Sequence, residues 1–242
     1  MTRNAVRFDK RTRRPAEDDA RPPRSGPYAH SFDDRRRRIL RTAWALVAEN
    51  QGQEFSLLHL SQLADVSLRT IYNAFGDKNG VIEAAIGAHY DSIFESEVRA
   101  AAHSCTLPEG LRITTDVAKE ICRVRGWSRT AAQLFFSPHC SSSMKGTLTS
   151  MPLRIADAWL KSPEVDAECA AAVGVDVLGS DYAYAQWGIV NDWGLGLLSD
   201  RELHRKMCMG LIILALAVGN ANGRAEAKRL AHAIRAREPR DA

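Results

Sequence analysis

The chain has 242 residues, of which 45% are hydrophobic and 26% charged, so it can bury a core without disulfides or metals. Its five cysteines are scattered with no CxxC pair, which argues against a disulfide framework or a zinc ribbon and favours a reducing, cytoplasmic setting. The longest apolar stretch, 207–219, is too short to cross ~30 Å of hydrocarbon, and no apolar signal peptide opens the sequence, so we expect no membrane association.

Positive charge is concentrated near the amino terminus. Residues 1–41 hold thirteen Lys or Arg and six acidic side chains, a net charge of +7, whereas the remaining residues sum to −3. A polyanionic partner at this end explains the distribution, and so does a solubilising tail. Residues 1–31 are rich in Arg, Pro, Ser and Gly and poor in large apolar groups, which predicts a disordered basic arm.

Two helices are predicted after the arm. Helical signals begin at Asp33, where acidic side chains favour a helix N-terminus. Ser56 can cap a second helix over 57–64. The side chains of this second helix that we expect to point inward are Leu57, Leu60, Leu63 and Ala64.

A third and a fourth helix follow after a short step at Asp65. Ser67 can cap a helix that runs to about Phe75, Gly76 ends it, and Asp77 can cap a long fourth helix. Two short helices joined by a tight turn form a helix-turn-helix unit, and the second helix of such a unit fits the major groove of DNA, about 12 Å wide.

Beyond this unit the sequence predicts more helices and no alternating strand pattern. Pro and Gly punctuate the expected ranges, which are 109–123, 128–136, 141–161, 164–192, 200–220 and 223–237. The predicted fold class is therefore all-α: an N-terminal helix-turn-helix three-helix head at 32–80, followed by a helical regulatory and dimerisation bundle, the body, at 81–242.

The head resembles the DNA-binding domain of the TetR (tetracycline repressor-like) family. The resemblance covers about 36–90 and is carried by Val66, Ser67, Thr70, Ile71, Tyr72, Phe75 and Lys78. Asp65 stands where the family usually has glycine in the turn, and we expect the turn to survive because Asp tolerates a left-handed backbone better than most residues. Ala74 replaces a common histidine. The resemblance implies a homodimer whose heads each read half of a near-palindromic double-stranded DNA operator, and a body pocket whose ligand controls their spacing.

The polar face of the third helix supplies the candidate DNA contacts. Arg69 can donate two hydrogen bonds to guanine O6 and N7, or contact phosphate alone. Leu68 can press on a thymine methyl group or simply be exposed. Tyr72 and Lys78 resemble family phosphate contacts, with half-burial and plain solvation as the alternatives. The full set of predicted DNA-binding residues is Arg37, Ser56, Ser67, Leu68, Arg69, Thr70, Tyr72, Asn73 and Lys78.

Basic residues at 35–38 form a second candidate surface. Their side chains can approach the DNA backbone or minor groove, as basic arms do elsewhere. A solvated helix face explains the same run. The serines at 56 and 67 can cap their helices and contact phosphates through backbone amides.

Large aromatic side chains in the body can line a ligand cavity or form plain core. Phe135, Trp159 and Tyr184 are the preferred ligand-binding candidates, because the family's pocket lies between the corresponding middle helices. Since no charged group is clearly buried among them, we expect a small, largely apolar ligand.

A dimer seam is predicted on the helices at 164–192 and 200–220. The stretch 207–219 is apolar nearly all round, so it must be buried on several sides. Small residues that would permit close helix approach are Gly210, Ala215, Ala217 and Gly219. An intrachain core is the alternative.

These patterns predict a cytoplasmic, sequence-specific transcriptional regulator, a repressor that a small ligand releases from its operator. The alternative is a nucleoid-associated or protein-partner-controlled DNA-binding protein without a small-molecule effector. The sequence has no HExxH, P-loop, GxSxG or GxGxxG motif, and its seven histidines are widely separated. We therefore expect no enzymatic activity, no metal and no cofactor.

Overall fold

The computed structural model describes residues 27–49, 55–93 and 104–236, with side chains described at 33–48, 55–90 and 104–236. Within these ranges the chain is α-helical, and its extended pairing is limited to one isolated antiparallel bridge between Val165 and Gly219. The all-α prediction is confirmed. Residues 1–26, where most of the predicted basic arm falls, lie outside the described residues.

Eleven helices are present in the described ranges. They are α1 Pro27–Glu49, α2 Leu57–Leu63, α3 Leu68–Phe75, α4 Lys78–Ile93, α5 Leu107–Arg123, α6 Arg125–Phe136, α7 Ser142–Leu160, α8 Ala167–Val173, α9 Val175–Gly194, α10 Asp200–Val218 and α11 Ala221–Ala236.

Two predicted boundaries are wrong. The described part of helix α1 begins at Pro27, so the end of the predicted disordered arm, at 27–31, is helical. The helix predicted over 164–192 is two helices, α8 and α9. The chain breaks at Gly174, which has φ 97° and ψ 120°, a conformation that favours glycine.

The head core is formed by the inner faces of α1 to α4. Ile39, Leu60, Ile71 and Val81 have 1% or less of their surface exposed. The inward prediction for Leu63 is wrong, since its side chain is 55% exposed. Each helical residue turns by about 100°, so Leu63 lies well to one side of an inward arc that includes Leu57, Leu60, Ser61 and Ala64.

The body is built around α10, which packs on α5, α9 and α11, while α7 packs on α9. Leu203, Leu211 and Ile212 of α10 are fully buried. Helix α1 also packs on α6, and α4 on α7, so head and body share an interface. In the described part of the chain, no helix combines the length and apolarity that a bilayer crossing requires.

The small residues of α10 serve packing within the chain. A Cβ on Gly210 would lie 2.6 Å from Nε2 of Gln186 in α9, and one on Gly219 would lie 2.4 Å from the Ala215 carbonyl oxygen. Ala215 is itself fully buried. Of the four small residues predicted for the dimer seam, Ala217 is exposed, whereas the other three are buried or have close neighbours within the chain.

A steric constraint governs the corner between α3 and α4. Gly76 ends α3 with φ 79°, and Oδ1 of Asp77 accepts a hydrogen bond from the Gly80 N–H at 2.8 Å. A Cβ on Gly80 would lie 1.9 Å from the Phe75 carbonyl oxygen, whereas one on Gly87, also in α4, would have no neighbour within 4 Å. Glycine at 80 is therefore what lets the two helices meet.

We expect Gly80→Ala to lower the free energy of unfolding by about 1–3 kcal/mol, because backbone must move to admit the methyl group. Gly87→Ala, the matched control, should raise it by about 0.5–1 kcal/mol, because alanine loses less conformational freedom in a helix. Urea unfolding of both variants measures the difference. Equal effects of the two substitutions would contradict this packing.

Candidate nucleic-acid interface and cavity

Side-chain caps define the two short helices of the head. Oγ of Ser56 accepts a hydrogen bond from the His59 N–H at 3.1 Å, and Oγ of Ser67 accepts one from the Thr70 N–H at 3.1 Å. The Thr70 hydroxyl lies 2.9 Å from the Ser67 hydroxyl. Both predicted caps are confirmed, and the hydroxyls at 56, 67 and 70 are engaged in them.

The turn between α2 and α3 has the left-handed backbone expected of it. Asp65 has φ 49°, and the Val66 N–H donates to the Ser61 carbonyl at 3.0 Å. The guanidinium of Arg38, on α1, donates to the Asp65 carbonyl at 3.2 Å. Helix α1 therefore holds the turn whose geometry sets the direction of α3.

A second arginine of α1 holds the other end of α3. Arg36 donates to the Ala74 carbonyl at 3.0 Å, and its guanidinium lies 4.5 Å from the ring centroid of Phe75. Sequence reasoning missed this role for Arg36 and Arg38, because their acceptors are backbone carbonyls 38 and 27 residues away. Arg37, the predicted contact between them, is exposed and lies 3.7 Å from Asp34.

One face of α3 is directed away from the head. Arg69, Tyr72 and Asn73 are exposed at helical spacing, while Ile71 on the opposite face is fully buried. Tyr72 keeps 52% of its surface exposed, so its side chain remains accessible to a partner. The side chains at 69, 72 and 73 make no hydrogen bond or ion pair to another described residue.

The remaining predicted DNA contacts border this face. Ser67 is exposed and Leu68 half-buried at the start of α3. Lys78 begins α4 and its Nζ lies 5.5 Å from the ring centroid of Phe55. The third helix thus presents a polar surface with basic side chains at its margin. The assignment of these residues to DNA remains a prediction.

A cavity of about 80 Å³ lies where the head meets the body. Its wall is shared by α1, α4, α5, α6, α7, α9 and α10, and most of the lining is apolar. Prominent lining side chains are Trp44, Ile86, Trp127, Met151, Trp187 and Met207. The cavity therefore touches α1 and α4, the two helices that continue from the head into the interface with the body.

An aromatic joint of Trp44, His89 and Trp127 forms one side of the cavity. The rings of Trp44 and Trp127 stack with centroids 4.3 Å apart and planes 9° apart, and Trp44 lies 4.0 Å from the ring of His89. Trp127 Nε1 donates to the Trp44 carbonyl at 2.9 Å. The joint connects α1, α4 and α6, and it stacks head on body.

A second tie connects α4 to the body. Ser141, the cap of α7, donates from its backbone N–H to Oε1 of Glu83 at 3.0 Å and from its hydroxyl to Oε2 at 2.8 Å. With the aromatic joint, this tie holds α4 at two points along its length. Helix α4 is therefore in direct contact with both α1 of the head and α7 of the body.

The ionisable end of the cavity contains His89 and Glu120. His89 Nε2 lies 3.5 Å from Oε1 of Glu120, and Glu120 accepts two hydrogen bonds of 2.6 Å from Arg123. The hydrogen bonds from Arg123 lower the pKa of the Glu120 carboxyl. Burial lowers the pKa of His89, although the carboxylate beside it acts in the opposite direction.

None of the three predicted ligand contacts lines this cavity. Phe135 is buried beside the rings of Tyr184 and Trp187, at centroid distances of 5.2 and 5.4 Å. Trp159 is buried, with Nε1 donating to Glu164 at 3.0 Å, and Tyr184 is 52% exposed. Helical spacing predicted which body helices carry aromatic side chains, but not which side of each helix faces the head. It did not identify Trp44 as a lining residue, because Trp44 belongs to α1 and not to the body.

In the described ranges, no three His, Cys, Asp or Glu side chains lie close enough together to hold a metal ion.

A crystal structure of a TetR transcriptional regulator from Agrobacterium tumefaciens is similar to this chain with a TM-score of 0.48 and 15% sequence identity, over 81% of this chain and 99% of that one. No family model and no curated protein matches the sequence.

The lowered pKa of His89 predicts a pH effect on stability. The unfolded histidine has the higher pKa, so the unfolded chain binds more protons as the pH falls through about 6.5, and His89 then opposes folding. In His89→Gln, the free energy of unfolding should fall less between about pH 7.5 and about pH 5.5 than in the wild type. His232→Gln, an exposed site on α11, should keep the wild-type slope. Parallel slopes for all three proteins would refute the assignment.

Proposed function

We propose that the protein is a sequence-specific DNA-binding transcriptional regulator. The observation that carries the proposal is α3, a capped helix after a tight turn that exposes Arg69, Tyr72 and Asn73 without partners among the described residues. Arg36 and Arg38 brace its two ends. A rigid helix with a polar outer face suits the major groove, where side chains contact base edges.

The contacts can be divided by the atoms each residue has to offer. Arg69 is suited to guanine, Leu68 to a thymine methyl group and Asn73 to adenine. Tyr72, Lys78 and the exposed Arg37 are suited to phosphates. The hydroxyls of Ser56, Ser67 and Thr70 are held in caps, so their contribution would come from backbone amides at the helix starts.

Two substitutions separate base recognition from phosphate contact. Arg69→Ala should relax the preference at one operator position by about 1–3 kcal/mol, whereas Lys78→Ala should weaken binding to all sequences alike and reduce its salt dependence. Affinities for DNA selected from a random pool, and for single-position variants of it, measure both effects. Arg235→Ala on α11, far along the chain, is the control. DNA affinity unchanged by both head substitutions would rule out this interface.

We also propose that the regulator is a homodimer that binds a near-palindromic operator. Helix α9 exposes Val177, Tyr184 and Ala185, and the adjoining α10 exposes Ile213 and Ala217. Ile213 is 60% exposed and Tyr184 52%, an unusual position for large apolar side chains on two packed helices. Pairing this face with its own copy would bury these groups in a four-helix seam.

Charge on this face provides a test of the dimer. Ile213→Glu should convert the protein to a monomer, because each seam would have to bury two carboxylates, and it should weaken binding to a two-half-site operator. Leu197→Glu, also a change at an exposed leucine (68%) but between α9 and α10, is the control. Sedimentation velocity at micromolar concentration distinguishes the states. A wild-type monomer, or an Ile213→Glu dimer, would contradict the seam.

The position of the cavity supports a repressor that a small ligand releases from its operator. Trp44 of α1 and Ile86 of α4 line it, so a ligand that fits one arrangement of these helices better than another shifts the head between them. A nucleoid-associated or partner-controlled DNA-binding protein would need no cavity at this joint. A screen of small molecules for release of labelled DNA distinguishes the two functions. Release by some of them supports the ligand-controlled repressor, and release by none supports the alternative.

A further inference from the structure

Gln186 of α9 brings an unpaired hydrogen-bond acceptor to the wall of the cavity. Its side chain is 3% exposed, and Nε2 donates to the Met207 carbonyl at 3.2 Å, which fixes the orientation of the amide. Oε1 is shielded from solvent and has no donor among the described residues. A buried acceptor of this kind is costly unless a donor reaches it.

Neighbouring polar groups of the wall have partners within the chain. The Thr114 hydroxyl donates to the Gly110 carbonyl at 2.8 Å, and the Ser128 hydroxyl donates to the Ile121 carbonyl at 3.0 Å. Burial raises the pKa of the Tyr182 hydroxyl, and Thr114 beside it acts in the opposite direction. The polar atom that lacks a partner in this part of the cavity is therefore Oε1 of Gln186, which requires a hydrogen-bond donor.

The charge at the other end of the cavity is compensated. Glu120 holds the guanidinium of Arg123 through two hydrogen bonds of 2.6 Å, and His89 lies beside that pair. A cationic ligand would have to compete with Arg123, and an anionic one would approach Glu120. A neutral ligand avoids both penalties.

Size and shape limit the ligand further. The cavity of about 80 Å³ is smaller than the roughly 150 Å³ that accommodates benzene in an engineered protein. Met151 and Met207 line it, and unbranched thioether side chains can move to widen such a space. The tryptophans at 44, 127 and 187 make part of the lining aromatic, and aromatic side chains favour contact with an aromatic ligand.

We propose that the cavity binds a neutral aromatic molecule of one or two fused rings whose single N–H or O–H donates to Oε1 of Gln186. Indole and phenol are the simplest members of this class. The inference names the effector class of the proposed regulator, and it rests on the proposed function for its effect on DNA. Gln186 on α9 and Ile86 on α4 both line the cavity, so a ligand larger than the empty space would push against α4, which packs on α1 in the head.

Two matched ligands test the donor directly. Indole and 1-methylindole differ in the N–H, and calorimetric titration of the full chain without DNA should give about tenfold tighter binding of indole. In Gln186→Met, which keeps the side-chain size, the two ligands should bind equally. Gln133→Met, the same change at an exposed site of α6, should keep the wild-type preference.

Equal binding of the two ligands by the wild type would overturn the inference, since a water would then serve the acceptor as well. Binding of neither, or a preference that survives in Gln186→Met, would overturn it too. If Gln186→Met does not fold, the ligand pair on the wild type decides alone. Indole preference without any effect on DNA affinity would uphold the ligand class and count against the effector role. If ligands with and without the N–H release DNA equally well, the effector role is upheld and the proposed ligand class is contradicted.

Discussion

The contact between Trp44 and Trp127 is the interaction on which the arrangement of head and body depends. Each tryptophan buries a large ring against the other, and the indole N–H of Trp127 satisfies the Trp44 carbonyl. Because Trp44 lies on α1, the stack fixes the helix that also carries Arg36 and Arg38 to either end of α3. A single aromatic contact thus links the cavity wall to the helix proposed to read DNA.

Helix α3 can expose one face to a partner only if few of its side chains are needed for packing within the head. Ile71 supplies the buried anchor, and the helix ends are held largely through backbone carbonyls at Asp65 and Ala74. Bracing by carbonyls leaves side chains such as Arg69 available to a partner, since carbonyl acceptors are present whatever the side chain. The cost is a left-handed aspartate in the turn, a conformation that is unfavourable for residues other than glycine.

The body combines a tightly packed interior with a small polar site. Around α10, glycine at 210 lets α9 approach so closely that the Gln186 amide reaches the Met207 carbonyl. That same approach turns the other end of the amide toward the cavity. Close helix packing therefore creates the buried acceptor, and ligand selectivity in this protein would be a consequence of how α9 and α10 fit together.

Local sequence determined the helices, their caps and the exposed face of α3. A hydroxyl side chain just before an apolar run predicts a helix cap, and Ser56 and Ser67 cap their helices at these positions. Asp65 adopts the left-handed conformation predicted for the turn. These features could be predicted because they depend on neighbouring residues. Tertiary structure alone decided the roles of Arg36 and Arg38 and the lining of the cavity. Helical periodicity places an aromatic on a face but does not say which neighbour covers it, so Phe135, Trp159 and Tyr184 lie away from the cavity while Trp44 borders it. Contacts between distant segments require the packed fold.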